Sequence, residues 1–355
     1  MRQKGPTMAD IAKLSGVSQS TVSLVLNQKG GSAIPPETVE RVQAAARKLH
    51  YVKAPRSRTA PEKTSRSVLA LATDMTNPYY AVMLHELDLA AASAGLELVC
   101  CNTYHQPDRE TRCLEMALSC RYFAAVFLYP PDAPAAVSRI SRQMPVIAIC
   151  DKNAAPAIDL IELNNRQSGR IAAEHLLSLG HRRIAVLSSD PARNAARSNR
   201  VQGIRSQMEE HGATGGLSLL VPTPEELAAV PGSSAGYRTG FALGQRAELL
   251  SGGYTALIAI NDMVAMGAID ALSARGAQFP QDYSIVGFDN LLYAGLSRIS
   301  LTTVDHHIDL LAQAAVTLLA RHTDAALDPA LLASARFKVE CMPQLVVRSS
   351  TAPLA

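Results

Sequence analysis

Thr7-Met8-Ala9-Asp10-Ile11-Ala12-Lys13-Leu14-Ser15-Gly16-Val17-Ser18-Gln19-Ser20-Thr21-Val22-Ser23-Leu24-Val25-Leu26-Asn27 decides how the amino-terminal part of this 355-residue chain folds. The spacing predicts two short helices joined by a tight turn. Thr7 is placed to cap the first, with Asp10 three residues on as a short capping-box partner. Ser15-Gly16 ends that helix, because glycine accepts the positive φ such a corner needs. Ser18 then caps the second helix. At about 100° per residue Val22, Val25 and Leu26 share one stripe, while Ser20, Ser23, Leu24 and Asn27 fall opposite. So short a helix needs tertiary support, so the stripe is expected to pack on the first helix around Ile11, Leu14 and Val17. The small polar face left outside has the width of a DNA groove, which predicts a helix-turn-helix reader.

Outward from this stretch, Pro36 suits a first helical turn, and Val39, Val42, Ala45, Ala46 and Leu49 mark a third apolar stripe closing a three-helix headpiece near Tyr51. Residues 53–66 contain Pro55 and Pro61, several Arg/Lys and no large apolar residue, so they read as a linker. The expected domains are therefore a headpiece over 1–52, a hinge or linker over 53–66 and a body over 67–355. Charge agrees with that division. Residues 1–66 carry twelve Lys/Arg against four Asp/Glu, a net of +8, while the rest nets −5, giving the overall +3. A basic head on an acidic body is the asymmetry expected when only the head meets phosphate.

From Ser67 onward short apolar runs alternate with helix-period segments. The runs are 68–72, 96–100, 124–128, 146–150, 184–187, 217–221, 257–260 and 284–288. Between them lie amphipathic stretches at 80–94, 111–119, 168–179, 199–210, 237–250 and 263–275. Gly95, Gly180, Gly212 and Gly276 sit where a left-handed helix stop is needed. The pattern predicts βαβ units, hence an α/β, doubly wound fold. Eight strands fit one large sheet or two lobes equally well. The 48% hydrophobic content suffices for sizeable cores. There is no apolar run long enough to span a bilayer, no secretory signal, and no C-x-x-C among six cysteines. Cys100 and Cys150 end strand-like runs and are expected as buried thiols, and a cytoplasmic location is expected.

In doubly wound sheets ligands sit beyond the carboxyl ends of strands. Here those positions hold Asp74 through Tyr80, Tyr129, Asp151, Ser188 to Arg200, Asn261-Asp262 and Asp289-Asn290. Amides, carboxylates, an arginine and tyrosines suit a polyhydroxylated ligand. Singly, Asn or Asp after a strand is more often a helix cap, and Asp262 reads as the cap of the helix starting at Met263.

Several blocks in one order resemble the lactose/galactose repressor family of bacterial transcription regulators. They are Met8-Ala9-Asp10-Ile11-Ala12 with Gly16-Val17-Ser18 and Thr21-Val22-Ser23, Asn77-Pro78-Tyr79-Tyr80, Glu174-His175-Leu176, and Leu179-Gly180-His181-Arg182-Arg183-Ile184. Arg200 before Gly203, Asn261-Asp262, Ile285-Val286-Gly287-Phe288-Asp289, Leu301-Thr302-Thr303-Val304 and Leu345-Val346-Val347-Arg348 continue the match. The resemblance implies a two-lobed, periplasmic-binding-protein-like sensor with three crossing segments and an effector cleft between the lobes. It also implies a homodimer placing two headpieces on a pseudo-palindromic operator. By the same resemblance Thr7, Ser18, Ser23 and Asn27 match phosphate-contacting positions, and Gln19, Ser20 and Leu24 match base-reading ones. Tyr79, Tyr80, Arg200, Asn261 and Asp289 match effector-contacting positions. The effector expected is a sugar or sugar derivative.

The chain departs from the family in places. Leu24 stands where relatives often carry Arg, leaving contact with a thymine methyl as its readout. The linker lacks the family's wedging leucine, Pro231 falls where relatives place a stacking aromatic, and Asn164 stands where Asp is usual. Only seven residues follow Arg348, so a dimer is expected rather than a coiled-coil tetramer. An enzyme is the competing class, since Gly232-Ser233-Ser234-Ala235-Gly236 fits the G-x-S-x-G spacing. The Pro231 and Glu/Ala-rich stretch before it is no buried strand, so a loop is expected there. No phosphate-cradling loop, dinucleotide motif or His/Cys metal spacing is present, so no catalytic residue, cofactor or metal is expected. His306-His307 reads as a surface turn.

Overall fold

A computed structural model describes residues 7–26, 34–49, 65–150, 158–232, 234–322 and 335–354. The chain divides into two compact units, Met1–Lys63 and Thr64–Ala355.

The first unit contains α1 (Met8–Ser15), α2 (Gln19–Leu26) and α3 (Pro36–Lys48). The capping box is formed: the Asp10 amide donates to Thr7 Oγ1 at 3.4 Å and the Thr7 amide to Asp10 Oδ2 at 2.8 Å. Gly16 ends α1 at φ 67°, and the Thr21 amide donates to Ser18 Oγ at 3.1 Å. Ile11, Ala12, Val22, Val25, Val42 and Ala45 form the buried core, flanked by Val17, Leu26, Val39, Ala46 and Leu49. Leu14 is not part of it; it is 46% exposed. Ser15 occupies the inward position instead, its hydroxyl satisfied by the Ile11 carbonyl at 2.7 Å, so the buried face runs through 11, 12 and 15.

The second unit settles the open question in favour of two lobes. One sheet has the order β11-β5-β4-β3-β1-β2, the other β12-β10-β9-β8-β6-β7. In the first, β1 (Ser67–Ala72), β2 (Glu97–Asn102), β3 (Ala124–Phe127), β4 (Val146–Ile149), β5 (Asp159–Leu163) and β11 (Lys338–Cys341) are all parallel. In the second, β6 (Ile184–Leu187), β7 (Leu217–Leu220), β8 (Ala256–Ala259), β9 (Ser284–Phe288) and β10 (Thr302–Asp305) are parallel, and only β12 (Gln344–Val346) runs antiparallel, against β10. Sequence periodicity identified eight of these strands and missed β5, β10, β11 and β12.

Helices α4 (Pro78–Ser93), α5 (Pro107–Ser119), α6 (Pro134–Ile140) and α13 (Ile308–Arg321) belong to the first lobe. Helices α7 (Asn165–Ser178), α8 (Ala195–Glu210), α9 (Pro224–Ala228), α10 (Ala235–Gly244), α11 (Ala247–Ser251) and α12 (Asp262–Ser273) belong to the second. The stretch 237–250, expected as one helix, breaks into α10 and α11 around Gln245-Arg246. Gly95, Gly180, Gly212 and Gly276 all take positive φ. Cys150 is buried, but Cys100 is exposed, because β2 is an edge strand.

The chain crosses between lobes three times: from β5 into α7, from β10 into α13, and from β11 into β12. Asn164 stands at the first crossing. Its Oδ1 accepts from the Gln167 amide at 2.9 Å and its Nδ2 donates to Glu340 Oε1 at 2.5 Å. An aspartate there would face that carboxylate with no proton to donate. We expect Asn164→Asp to lower stability by about 1 kcal/mol at neutral pH, measured by urea melting, with the loss shrinking at pH 4.

Candidate effector cleft and DNA-facing helix

The cleft is built where strand ends of both lobes meet helix starts. Asn77 caps α4, its Oδ1 accepting from the Tyr79 amide at 3.1 Å, and Pro78 fixes the first turn. Tyr79 and Tyr80 therefore leave the helix start side by side, their rings edge-to-face with centroids 5.4 Å apart. From the other lobe Asn261 caps α12 through the Val264 amide at 2.9 Å. Asp289 leaves β9 at φ 102° and Asn290 follows at φ 48°, a left-handed pair that turns the carboxylate inward. Tyr79, Tyr80, Arg200, Asn261 and Asp289 all line one cavity of about 120 Å³, together with Tyr129 and others. The structure thus brings together all five residues expected at an effector site. Pro231 is exposed and lines neither this cavity nor its neighbour.

Arg200 is the most heavily bonded of the five. Its Nε donates to Asn165 Oδ1 at 2.7 Å, its Nη1 to the Ile260 carbonyl at 2.6 Å, and its Nη2 to His306 Nε2 at 2.8 Å. Asp289 Oδ1 lies 3.5 Å from Nη2, and the guanidinium stacks over the Phe288 ring at 4.8 Å. Asn165 and His306 lie at the first and second crossings, so one side chain links the cleft to two of the three connections. His306 corrects the expectation of a surface turn: it is 2% exposed. Arginine can only donate, so His306 Nε2 accepts and the ring is neutral with its proton on Nδ1. Burial and the adjacent Arg200 charge hold its pKa well below the usual histidine range.

Asp262 is likewise no cap, because Asn261 fills that role. It is fully buried, accepting from Thr303 Oγ1 at 2.6 Å and from the Leu291 amide at 2.8 Å. It therefore braces the turn that carries Asp289. Burial pushes the Asp289 carboxyl up to about 6, against the pull of Arg200 and Arg197. On the facing lobe the Tyr129 hydroxyl is consumed inside, donating to Glu110 Oε2 at 2.7 Å, so only its ring serves the cavity. Arg197, one helical turn before Arg200 on α8, also lines the cleft. Sequence reasoning did not single it out, although its i−3 spacing from Arg200 was a signal that could have.

In the headpiece Thr7, Ser18, Gln19 and Leu24 are exposed, Leu24 by 43%, and Ser23 is half-buried. Asn27, Asp151, most of the 53–66 linker and the side chain of Ser20 lie outside the described residues. Ser234 caps α10, and α9 precedes it where a nucleophile elbow would need a strand. Among the described residues no helix is long and apolar enough to cross a membrane.

A basic headpiece of three helices and a separate two-lobed α/β unit in one chain define the class of helix-turn-helix DNA-binding regulators. Residues 7–53 match the model of bacterial regulatory proteins of the lacI family, and residues 173–351 that of a periplasmic binding protein-like domain. The HTH-type transcriptional regulator DegA of Bacillus subtilis (strain 168) is 30% identical over 98% of this chain and 98% of its own. Among solved structures, the lac repressor dimer bound to operator and an anti-inducer covers 98% of this chain and 100% of its own, at 22% identity and a TM-score of 0.69. The transcriptional regulator CelR in complex with cellobiose covers 97% and 99%, at 22% identity and a TM-score of 0.66. The chain belongs to the lacI family and is a DNA-binding transcriptional regulator.

Proposed function

We propose that this chain binds a pseudo-palindromic operator as a homodimer, and that a sugar-class effector held between the lobes sets its operator affinity. The carrying observation is the convergence of Tyr79, Tyr80, Arg200, Asn261 and Asp289 on one cleft whose arginine is bonded to two crossings. CelR, solved with cellobiose, supports the ligand class. Stacking rings beside carboxylate and amide groups suit vicinal hydroxyls. A ligand that favours one lobe arrangement over the other shifts the population of DNA-competent dimers by its differential affinity. DNA binding places the protein with the chromosome, in the cytoplasm, and no catalytic role is assigned.

The headpiece positions are read as a positioning set (Thr7, Ser18, Ser23, Asn27) and a reading set (Gln19, Ser20, Leu24). Selection from randomised duplexes should return a different preferred base for Leu24→Arg, with guanine replacing thymine at one position per half-site. Thr7→Ala should weaken all sequences alike. Identical selected sites for wild type and Leu24→Arg would remove Leu24 from the reading set.

Partner docking is assigned to the apolar strip on the second lobe that includes Met266, Tyr293, Leu296 and Ile299, with Leu292 79% and Leu296 50% exposed. Two-headed operator binding requires a second copy, and this exposed strip is the apolar surface on which we seat it. Leu296→Glu should convert the dimer to monomer in sedimentation and weaken operator binding.

Asp289 gives the site a pH signature. Its folded-state pKa of about 6 lies above its unfolded value, so this group stabilises the fold below about pH 4 and that contribution declines as pH rises toward 6. An effector whose hydroxyls donate to the ionised carboxylate should therefore bind more tightly as pH rises, by about fivefold between 5 and 6 and about twofold more by 7, and then level off. Calorimetric titration of wild type against Asp289→Asn checks this; an equal slope in both would exclude Asp289 as the titrating group.

A further inference from the structure

We propose that the effector carries an anionic substituent, a carboxylate or phosphoryl ester, seated in a second chamber built around Arg197 and Arg238. This rests on reading the cleft as the effector site. The chamber, of about 230 Å³, shares Asn77, Arg197 and Asn261 with the cleft and adds Ser189, Thr239 and Arg238. The two spaces are therefore neighbours, with Arg197 on their common wall.

Arg200 already has its charge beside Asp289 and three of its five N–H donors on Asn165, Ile260 and His306. Arg197 differs. Among the described residues its guanidinium has no ion pair and no hydrogen bond; its backbone amide donates to Asn194 Oδ1 at 3.0 Å. Burial draws its pKa below the ordinary guanidinium value, and the nearby Arg200 charge adds to that against the opposing influence of Tyr80, Asp289 and Asp190. Arg238 is half used: Nη2 donates to the Leu227 carbonyl, while its buried Nε has no partner among the described residues. The chamber also receives the first turns of α10 and α12, whose helix dipoles add positive potential. Asp74 is its lining carboxylate, and Asp74 Oδ1 already accepts from the Thr76 amide at 2.9 Å and hydroxyl at 2.6 Å.

A half-buried guanidinium that lines a cavity without an ion partner is a ready anion seat, and a planar or tetrahedral oxyanion satisfies it with paired charge-assisted bonds. A neutral sugar would leave Arg197 as it stands. The second chamber thus gives the ligand a charged end and the first chamber its hydroxylated ring.

Inorganic phosphate tests the chamber without knowledge of the sugar. At constant ionic strength it should raise the melting temperature of the full-length protein saturably, and Arg197→Gln or Arg238→Gln should each raise its apparent Kd by about tenfold or more. In parallel, glucose, galactose and ribose are titrated as free sugar, aldonate and phosphate ester. The tightest ligand should be anionic, and the better of its two charged forms identifies the source of the oxyanion. Phosphate stabilisation that is absent, or unmoved by both variants, overturns the proposal. So does a neutral sugar as tightest ligand; if that sugar alters operator binding, the cleft reading survives alone. An anion that binds through Arg197 and Arg238 yet leaves operator affinity unchanged upholds the chamber and overturns the effector reading.

Discussion

An Arg200→Met variant should bind operator but lose its response to effector, and its sensor should unfold with about 3 kcal/mol less free energy. Methionine matches much of the arginine stem, so the loss reports on the guanidinium. Removing it strands Asn165 Oδ1, the Ile260 carbonyl and His306 Nε2, and leaves the Asp289 carboxylate buried without its neighbouring charge. The carboxyl pKa should rise further. Arg200→Lys should rescue little, because an ammonium cannot reach partners on opposite sides at once. Gel-shift titration with effector and urea melting read the two effects separately. Wild-type responsiveness in Arg200→Met would disprove the linkage of cleft to crossings.

Gly169→Ala should be nearly as damaging without touching any ligand. Helices α7 and α8 approach so closely that a Cβ at Gly169 would sit 2.0 Å from the Arg200 carbonyl oxygen, and one at Gly203 the same distance from that of Arg166. The obstructing atoms are backbone, so no rotamer change relieves them and the helices must part, at a cost of about 3 kcal/mol. Because the clash falls on Arg200 itself, its side chain moves with it and effector affinity falls too. Gly215→Ala, where a Cβ meets nothing within 4 Å, should change stability by less than about 0.5 kcal/mol. Equal urea midpoints for Gly169→Ala and Gly215→Ala would contradict the close packing.

What the sequence made legible follows from how local each determinant is. The headpiece reads directly because its capping box, its left-handed glycine and its apolar stripes are all set within a few residues. Leu14 misled because the wheel does not foresee Ser15 satisfying its own hydroxyl on the Ile11 carbonyl. Continuous apolar runs betrayed eight strands. The missed strands carry polar residues whose partners are remote: Asp159 Oδ1 accepts from the Phe337 amide, and Thr303 donates to Asp262. The division into lobes was equally hidden, since periodicity does not say which strand leaves a sheet. Positions after strands pointed to the cleft residues. His306 escaped because only the folded chain brings it to Arg200.

The bonds from Arg200 to Asn165 and His306 bear on how steeply the molecule can respond. Two connecting peptides bonded to one guanidinium are tied to each other and to the cleft wall, so a ligand that shifts Arg200 acts on both at once. With one effector cleft per chain, a lone copy should saturate along a simple hyperbola. Any sigmoid dose dependence would have to originate in the pairing of copies.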